Sequence, residues 1–122
     1  MVDARDEAGL TTTNQVWNMV EGVLHAFRRR VSVRHGLQFA TALPPLLRAI
    51  FVENWNADDA VLPFTSIEQM TGEVQALRAA HNFAPDDAIA VVARTLRRHV
   101  DPNVLDAALA RLPYEARAFW DL

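Results

Sequence analysis

The sequence predicts an all-α fold, a compact bundle of about seven helices made from two tandem copies of a three-helix unit, and three observations carry that reading. Apolar residues recur at three- and four-residue steps over long stretches, the mark of amphipathic helices. No stretch alternates strictly between apolar and polar residues with turn signals on both sides, so no sheet is expected. The sequence also matches itself when its first half is slid onto its second. Internal repeats of this kind report one folding unit used more than once.

The shifted match runs without a gap, laying 27–52 over 96–121. It pairs Arg28 with Arg97, Arg29 with Arg98, Val31 with Val100, Leu43 with Leu112, Pro44 with Pro113 and Arg48 with Arg117. Conservative pairs fall at the same shift, among them Phe27 with Leu96, Ile50 with Phe119 and Phe51 with Trp120. Repeat one is expected at about 14–52, a connector at 53–63 and repeat two at about 64–122. Residues 1–13, rich in charge, are expected to form a disordered tail ahead of a single domain over 14–122.

Each unit reads as one long and two short helices. In the first, Asn14 caps a helix striped by Val16, Val20, Val23, Leu24, Phe27 and Val31. In the second, Ala84-Pro85-Asp86-Asp87 opens a helix striped by Ile89, Val92, Ala93, Leu96 and Val100, and Arg97, Arg98 and His99 suit the negative end of its dipole. Ser32 and Asp101-Pro102 open the next helices, whose apolar positions are Leu37, Ala40 and Leu43, then Leu105, Leu109 and Leu112. At Pro44 and Pro113 the missing amide donor predicts a bend and a third helix, with Leu47, Ile50 and Phe51, then Ala116, Phe119 and Trp120, facing inward. Between the units, Thr65 with Glu68 reads as a capping box opening a helix over 65–80.

Composition excludes several function classes. With 51% hydrophobic residues, 122 residues can bury one core without a disulfide or metal staple. There is no cysteine, which removes thiolate metal sites and cysteine nucleophiles. Acidic residues at Asp3, Asp6 and Glu7 stand where a signal peptide carries basic ones, so a cytoplasmic protein with no membrane span is expected. All twelve basic residues are arginine, a bias read as genome composition rather than function.

The two Leu-Pro-x-x-x-Arg endings, Leu43 to Arg48 and Leu112 to Arg117, joined by an acidic connector around Trp55, resemble the bacterial domain-of-unknown-function 2267 family. The resemblance covers Val16 to the C-terminus and implies a compact helical repeat fold in a cytoplasmic bacterial protein, with no activity attached. The chain departs from the pattern in two places. Asn54 stands where the family often carries glycine before the tryptophan, and the helix that usually precedes the first repeat is missing or degenerate.

No residue set makes a catalytic or metal site in this reading, and no cofactor is expected. Glu21 and His25 lie four apart, as metal ligands or an acid/base pair would, but read as a solvated helix pair. Asp58-Asp59 and Asp86-Asp87 read as connector and helix-start acids. The two serines, Ser32 and Ser66, sit at helix starts rather than beside a base. Arg28, Arg29 and Arg30, echoed by Arg97 and Arg98, are the best candidates for a nucleic-acid contact, although a net charge of −3 and the lack of interleaved aromatics disfavour it. Arg48 and Arg117, with Pro44 and Pro113, are assigned structural roles, each arginine reaching a carboxylate or helix-end carbonyls.

Three functions follow from different classes. The leading one is a non-enzymatic interaction protein, a helical adaptor or stress-associated factor acting on a protein partner or a second copy of itself. The others are a nucleic-acid-associated protein using the arginine clusters, and a ligand carrier or small enzyme with a pocket between the repeats. The shift that aligns the two units lays Met70 to Ala79 over Met1 to Leu10, where charged residues replace the apolar stripe. Either helix 65–80 serves both units, or the surface around Trp17, Val20 and Leu24 stays open as a homodimer or partner interface anchored by Trp17.

Overall fold

A computed structural model describes residues 13–76 and 84–121. They form α1 (Thr13–Arg28), α2 (Val33–Ala40), α3 (Pro45–Val52), α4 (Ile67–Ala76), α5 (Ala88–His99), α6 (Pro102–Ala110) and α7 (Tyr114–Phe119), and no strand is found among them. The expected N-terminal tail up to Thr12, and Leu77 and His81 near the end of the expected fourth helix, lie outside the described residues.

Local chemistry sets the boundaries. Ser32 Oγ accepts the His35 N–H at 3.1 Å and opens α2, while Asp101 Oδ1 accepts the Asn103 N–H at 2.9 Å and opens α6. Pro44 (φ −57°, ψ 157°) and Pro113 (φ −56°, ψ 156°) hold the same extended conformation ahead of α3 and α7. The starts of α3 and α7 are separated by the same stretch of chain as those of α2 and α6. The fourth helix starts later than the Thr65–Glu68 box predicts. Arg30 Nε donates to the Pro63 carbonyl at 3.1 Å in the chain ahead of it, and Ser66 is the cap, its Oγ accepting the Gln69 N–H at 3.2 Å.

The long helix α1 is the hub, packing on α3, α4 and α5. Its Phe27 sits fully buried against Phe39 at 4.9 Å between centroids, Trp120 at 5.2 Å and Phe119 at 5.3 Å, so the aromatic cluster ties the two halves of the chain together. Phe39 and Trp120 stack at 13°. Truncating a ring so placed costs about 3–5 kcal/mol. The α1–α4 crossing is close: a Cβ added at Gly22 would stand 3.1 Å from the Val74 carbonyl oxygen.

One face departs from the expectation. Leu37, expected to point inward, is 50% exposed, and α2 instead buries Gly36, Phe39 and Ala40. The helix is turned toward the side where a residue without a side chain admits a tryptophan from the connector.

Candidate functional site

The arginine run at the end of α1 organises the connector that follows α3. Arg30 is the buried member. Its Nη1 donates to the Ala26 carbonyl at 2.8 Å and to Glu73 Oε1 at 3.0 Å, and its Nη2 pairs with Glu73 Oε2 on α4. The fork of hydrogen bonds from Arg30 holds the Glu73 carboxyl below its ordinary pKa, against the opposing effect of burial. Arg28 Nη1 donates to the carbonyls of Phe51 at 2.9 Å and Glu53 at 2.8 Å, satisfying the C-terminal end of α3. Burial first, and then the like charge of Arg29, push the Arg28 pKa down, although a guanidinium stays protonated at neutral pH. Arg29 is exposed at the surface, its Nε 3.6 Å from Glu73 Oε1.

The connector folds back on this frame. Asn54 adopts φ 55°, the left-handed conformation that ends a helix and that glycine or asparagine tolerates best. That turn sends Trp55 onto α2, where a Cβ added at Gly36 would lie only 2.3 Å from the indole Cη2. Arg28 lies over the Trp55 ring, its Cζ 5.6 Å from the centroid, and Phe51 meets it edge-on at 5.7 Å. Farther on, the Leu62 N–H donates to the Arg29 carbonyl at 2.9 Å. Between these two anchor points the connector arches and leaves a cleft of about 570 Å³, lined by Arg28, Arg29, Ser32, Trp55 and Asp59 together with apolar residues from Val31 to Leu62.

The other candidates are dispersed. Val20 and Leu24 are 1% and 0% exposed, so neither belongs to an open interface; Val20 faces Leu47 on α3 and Val92 and Leu96 on α5, and Trp17 is half-buried against the same core. Arg30 turns inward to Glu73 and leaves the proposed nucleic-acid surface. Arg97 donates to the Trp120 carbonyl at 3.2 Å and pairs with Asp121 at 2.8 Å, while Arg98 is exposed on α5. Arg48 donates to the carbonyls of Ala40 at 3.1 Å and Leu43 at 2.9 Å, whereas Arg117 lies 5.9 Å over the Tyr114 ring on the surface.

His25 Nε2–H donates to the Ile50 carbonyl at 2.8 Å, and burial pushes its pKa below the ordinary value in spite of that bond. Asp86 accepts from Gln75 Nε2 at 3.0 Å, and the Ser32 and Ser66 hydroxyls are used as caps. No three acidic or histidine side chains converge as metal ligands among the described residues. Between the two halves, Val20, Leu47, Val92, Thr95, Leu96 and His99 bound a pocket of about 90 Å³, where the Thr95 hydroxyl is already bonded to the Val91 carbonyl. Such a notch is too small for the ligand pocket weighed between the repeats. The connector cleft is not among the sites expected from the sequence. Its signals were there: an aromatic residue after a left-handed Asn54, and a small Gly36 on the helix it meets.

The family model for the uncharacterised conserved protein DUF2267 matches residues 1–119. The chain belongs to the DUF2267 family. Among curated proteins none matches it. As a family member it brings an all-helical fold, and among the described residues no helix is long and apolar enough to cross a membrane.

Proposed function

We propose that this DUF2267 chain is a non-enzymatic protein that acts by protein–protein interaction, with the connector cleft as its contact surface. One observation carries the reading: the cleft sets the Trp55 wall and the Arg28 and Arg29 guanidinium groups beside Val61 and Leu62, which are 57% and 42% exposed. Aromatic rings, arginines and solvent-facing aliphatic residues brought together in a concavity are the ingredients of protein-binding hot spots. Binding is favoured over catalysis because the cleft's one hydroxyl, on Ser32, caps α2 and, among the described residues, has no histidine or carboxylate bonded to it. The same cleft replaces the Trp17, Val20 and Leu24 face as the place to look for a protein partner or a second copy.

A photo-crosslinking residue placed at Leu62, and separately at the exposed Asn103, which does not line the cleft, tests this in the source cell. A partner captured from position 62, absent from position 103 and lost on Val61→Glu at unchanged melting temperature supports the reading. Equal capture from both positions, or none from position 62, rejects it.

A further inference from the structure

The cleft carries positive charge that its own carboxylates do not cancel, and this surplus, resting on the binding role proposed above, narrows the partner's chemistry. Among the described residues, three consecutive arginines meet one contacting carboxylate. Glu73 is engaged through both oxygens by buried Arg30 and reaches Arg29 only at 3.6 Å. Arg28 contacts neutral partners, the Phe51 and Glu53 carbonyls and the Trp55 ring, although the charge of Glu21 on its own helix also acts on it. Asp59 lines the same cleft and its charge acts on Arg28, yet among the described residues it forms no ion pair with either arginine. Beside these cations stand the exposed aliphatic side chains of Val61 and Leu62.

We propose that the cleft binds an extended peptide segment of a partner protein in which a carboxylate side chain adjoins an aliphatic one, the carboxylate seated between Arg28 and Arg29 and the aliphatic group against Val61 and Leu62. An arginine fork recognises a planar carboxylate through paired hydrogen bonds, and the aliphatic wall supplies the desolvated contact that gives such a pair its strength. Nucleic acid fits the same place less well. Trp55 already spends its ring on Gly36, Phe51 and Arg28 rather than presenting it for base stacking.

The test selects displayed random peptides on the immobilised full chain and measures the enriched peptides, as synthetic labelled probes, on wild type, Arg29→Glu and Leu62→Glu. A single-stranded DNA oligonucleotide and inorganic phosphate are run in parallel. Peptides with Asp or Glu next to Leu, Ile or Val are expected, and their affinity is expected to fall by at least about tenfold on either substitution, and on changing the peptide's acid to its amide. Melting curves verify that each variant is folded, with Arg29→Gln and Val61→Glu standing in for a variant that is not. Peptides without an acid, or insensitive to Arg29→Glu but dependent on Leu62, overturn the acidic specificity while leaving the cleft a binding surface. Failure to enrich any peptide that depends on Leu62 removes both readings. Oligonucleotide or phosphate binding lost in Arg29→Glu and kept in Leu62→Glu also overturns the proposal and reassigns the site to a phosphate ligand.

Discussion

Substituting Gly36 by alanine should destabilise the protein, although the same change in an unhindered helix stabilises it by about 1 kcal/mol. The added Cβ would stand 2.3 Å from Trp55 Cη2, 3.1 Å from Cζ3 and 3.2 Å from Cζ2. Ordinary carbon contacts lie at about 3.5–4.0 Å, so the indole must retreat by more than about 1 Å. Retreat weakens the Phe51 contact, which in such pairs is worth about 0.5–1.5 kcal/mol, and the Arg28 contact, worth about 0.5–1 kcal/mol. It also returns about 50 Å² of indole to water, at about 25 cal/mol per Å². Offset by the helix gain, the net loss is about 2 kcal/mol, or a fall in Tm of roughly 6–10 °C for a domain of this size. Gly72 supplies the control, because nothing lies within 4 Å of its missing Cβ. Gly72→Ala should raise Tm by roughly 3–5 °C. Thermal and urea unfolding, followed by circular dichroism, read both. A Gly36→Ala protein as stable as Gly72→Ala would show that Trp55 does not rest on α2, and the cleft built on it would fall with that result.

Glu73→Ala leaves the Arg30 guanidinium buried without its counter-charge and should cost about 3 kcal/mol in urea unfolding, with a loss under about 0.5 kcal/mol showing that the Pro63 and Ala26 carbonyls suffice. The folded-state pKa of His25 lies below its ordinary 6.5, so the unfolded chain binds more protons and stability should fall as pH drops through about 6.5 and below. Glu73, also depressed, adds a loss in the same direction under its ordinary 4.5. His25→Gln should flatten the profile between roughly pH 7.5 and 5.5 and leave the lower limb, and an unchanged upper limb would remove His25 as its source. Arg48→Ala should cost about 1 kcal/mol through the lost bonds to Ala40 and Leu43, while Arg117→Ala, losing only its place over Tyr114, should stay within about 0.5 kcal/mol; equal losses by calorimetry would contradict that split.

Helix type and order were legible because they depend on local chemistry. The stripe on α1, the caps at Ser32 and Asp101 and the bends at Pro44 and Pro113 all act within a few residues of where they are written. What failed were choices decided across the fold. Leu37 and Phe39 are both apolar, and contacts from across the fold, Phe27 and Trp120 on Phe39 and Trp55 over Gly36, decide which one is buried. The box at Thr65 is sound cap chemistry, but Ser66 offers the same chemistry one residue on, and it is Ser66 that caps the helix. The arginine run looked like a solvated, dipole-matched helix end or a phosphate contact. Its members instead divide the work, one buried on Glu73, one closing α3, and one left at the surface. No count of charge along the sequence distinguishes those three roles.

The two halves treat an equivalent arginine differently, and this bears on the proposal that the binding surface lies in the first. The shifted self-match pairs Arg28 with Arg97, and it also pairs the residues whose carbonyls they hold, Phe51 at 2.9 Å and Trp120 at 3.2 Å. The same guanidinium thus closes the same helix end in each half, but the charge it brings is treated differently. Arg97 is compensated by Asp121 at 2.8 Å and by Asp106 at 3.6 Å. Arg28 is given the Glu53 carbonyl and the Trp55 ring instead, partners that hold it in place without cancelling its charge. Since both arginines already serve the fold, their presence says nothing about function. What differs is that, among the described residues, no carboxylate pairs directly with Arg28, in the half where the connector leaves the cleft proposed above as a binding surface.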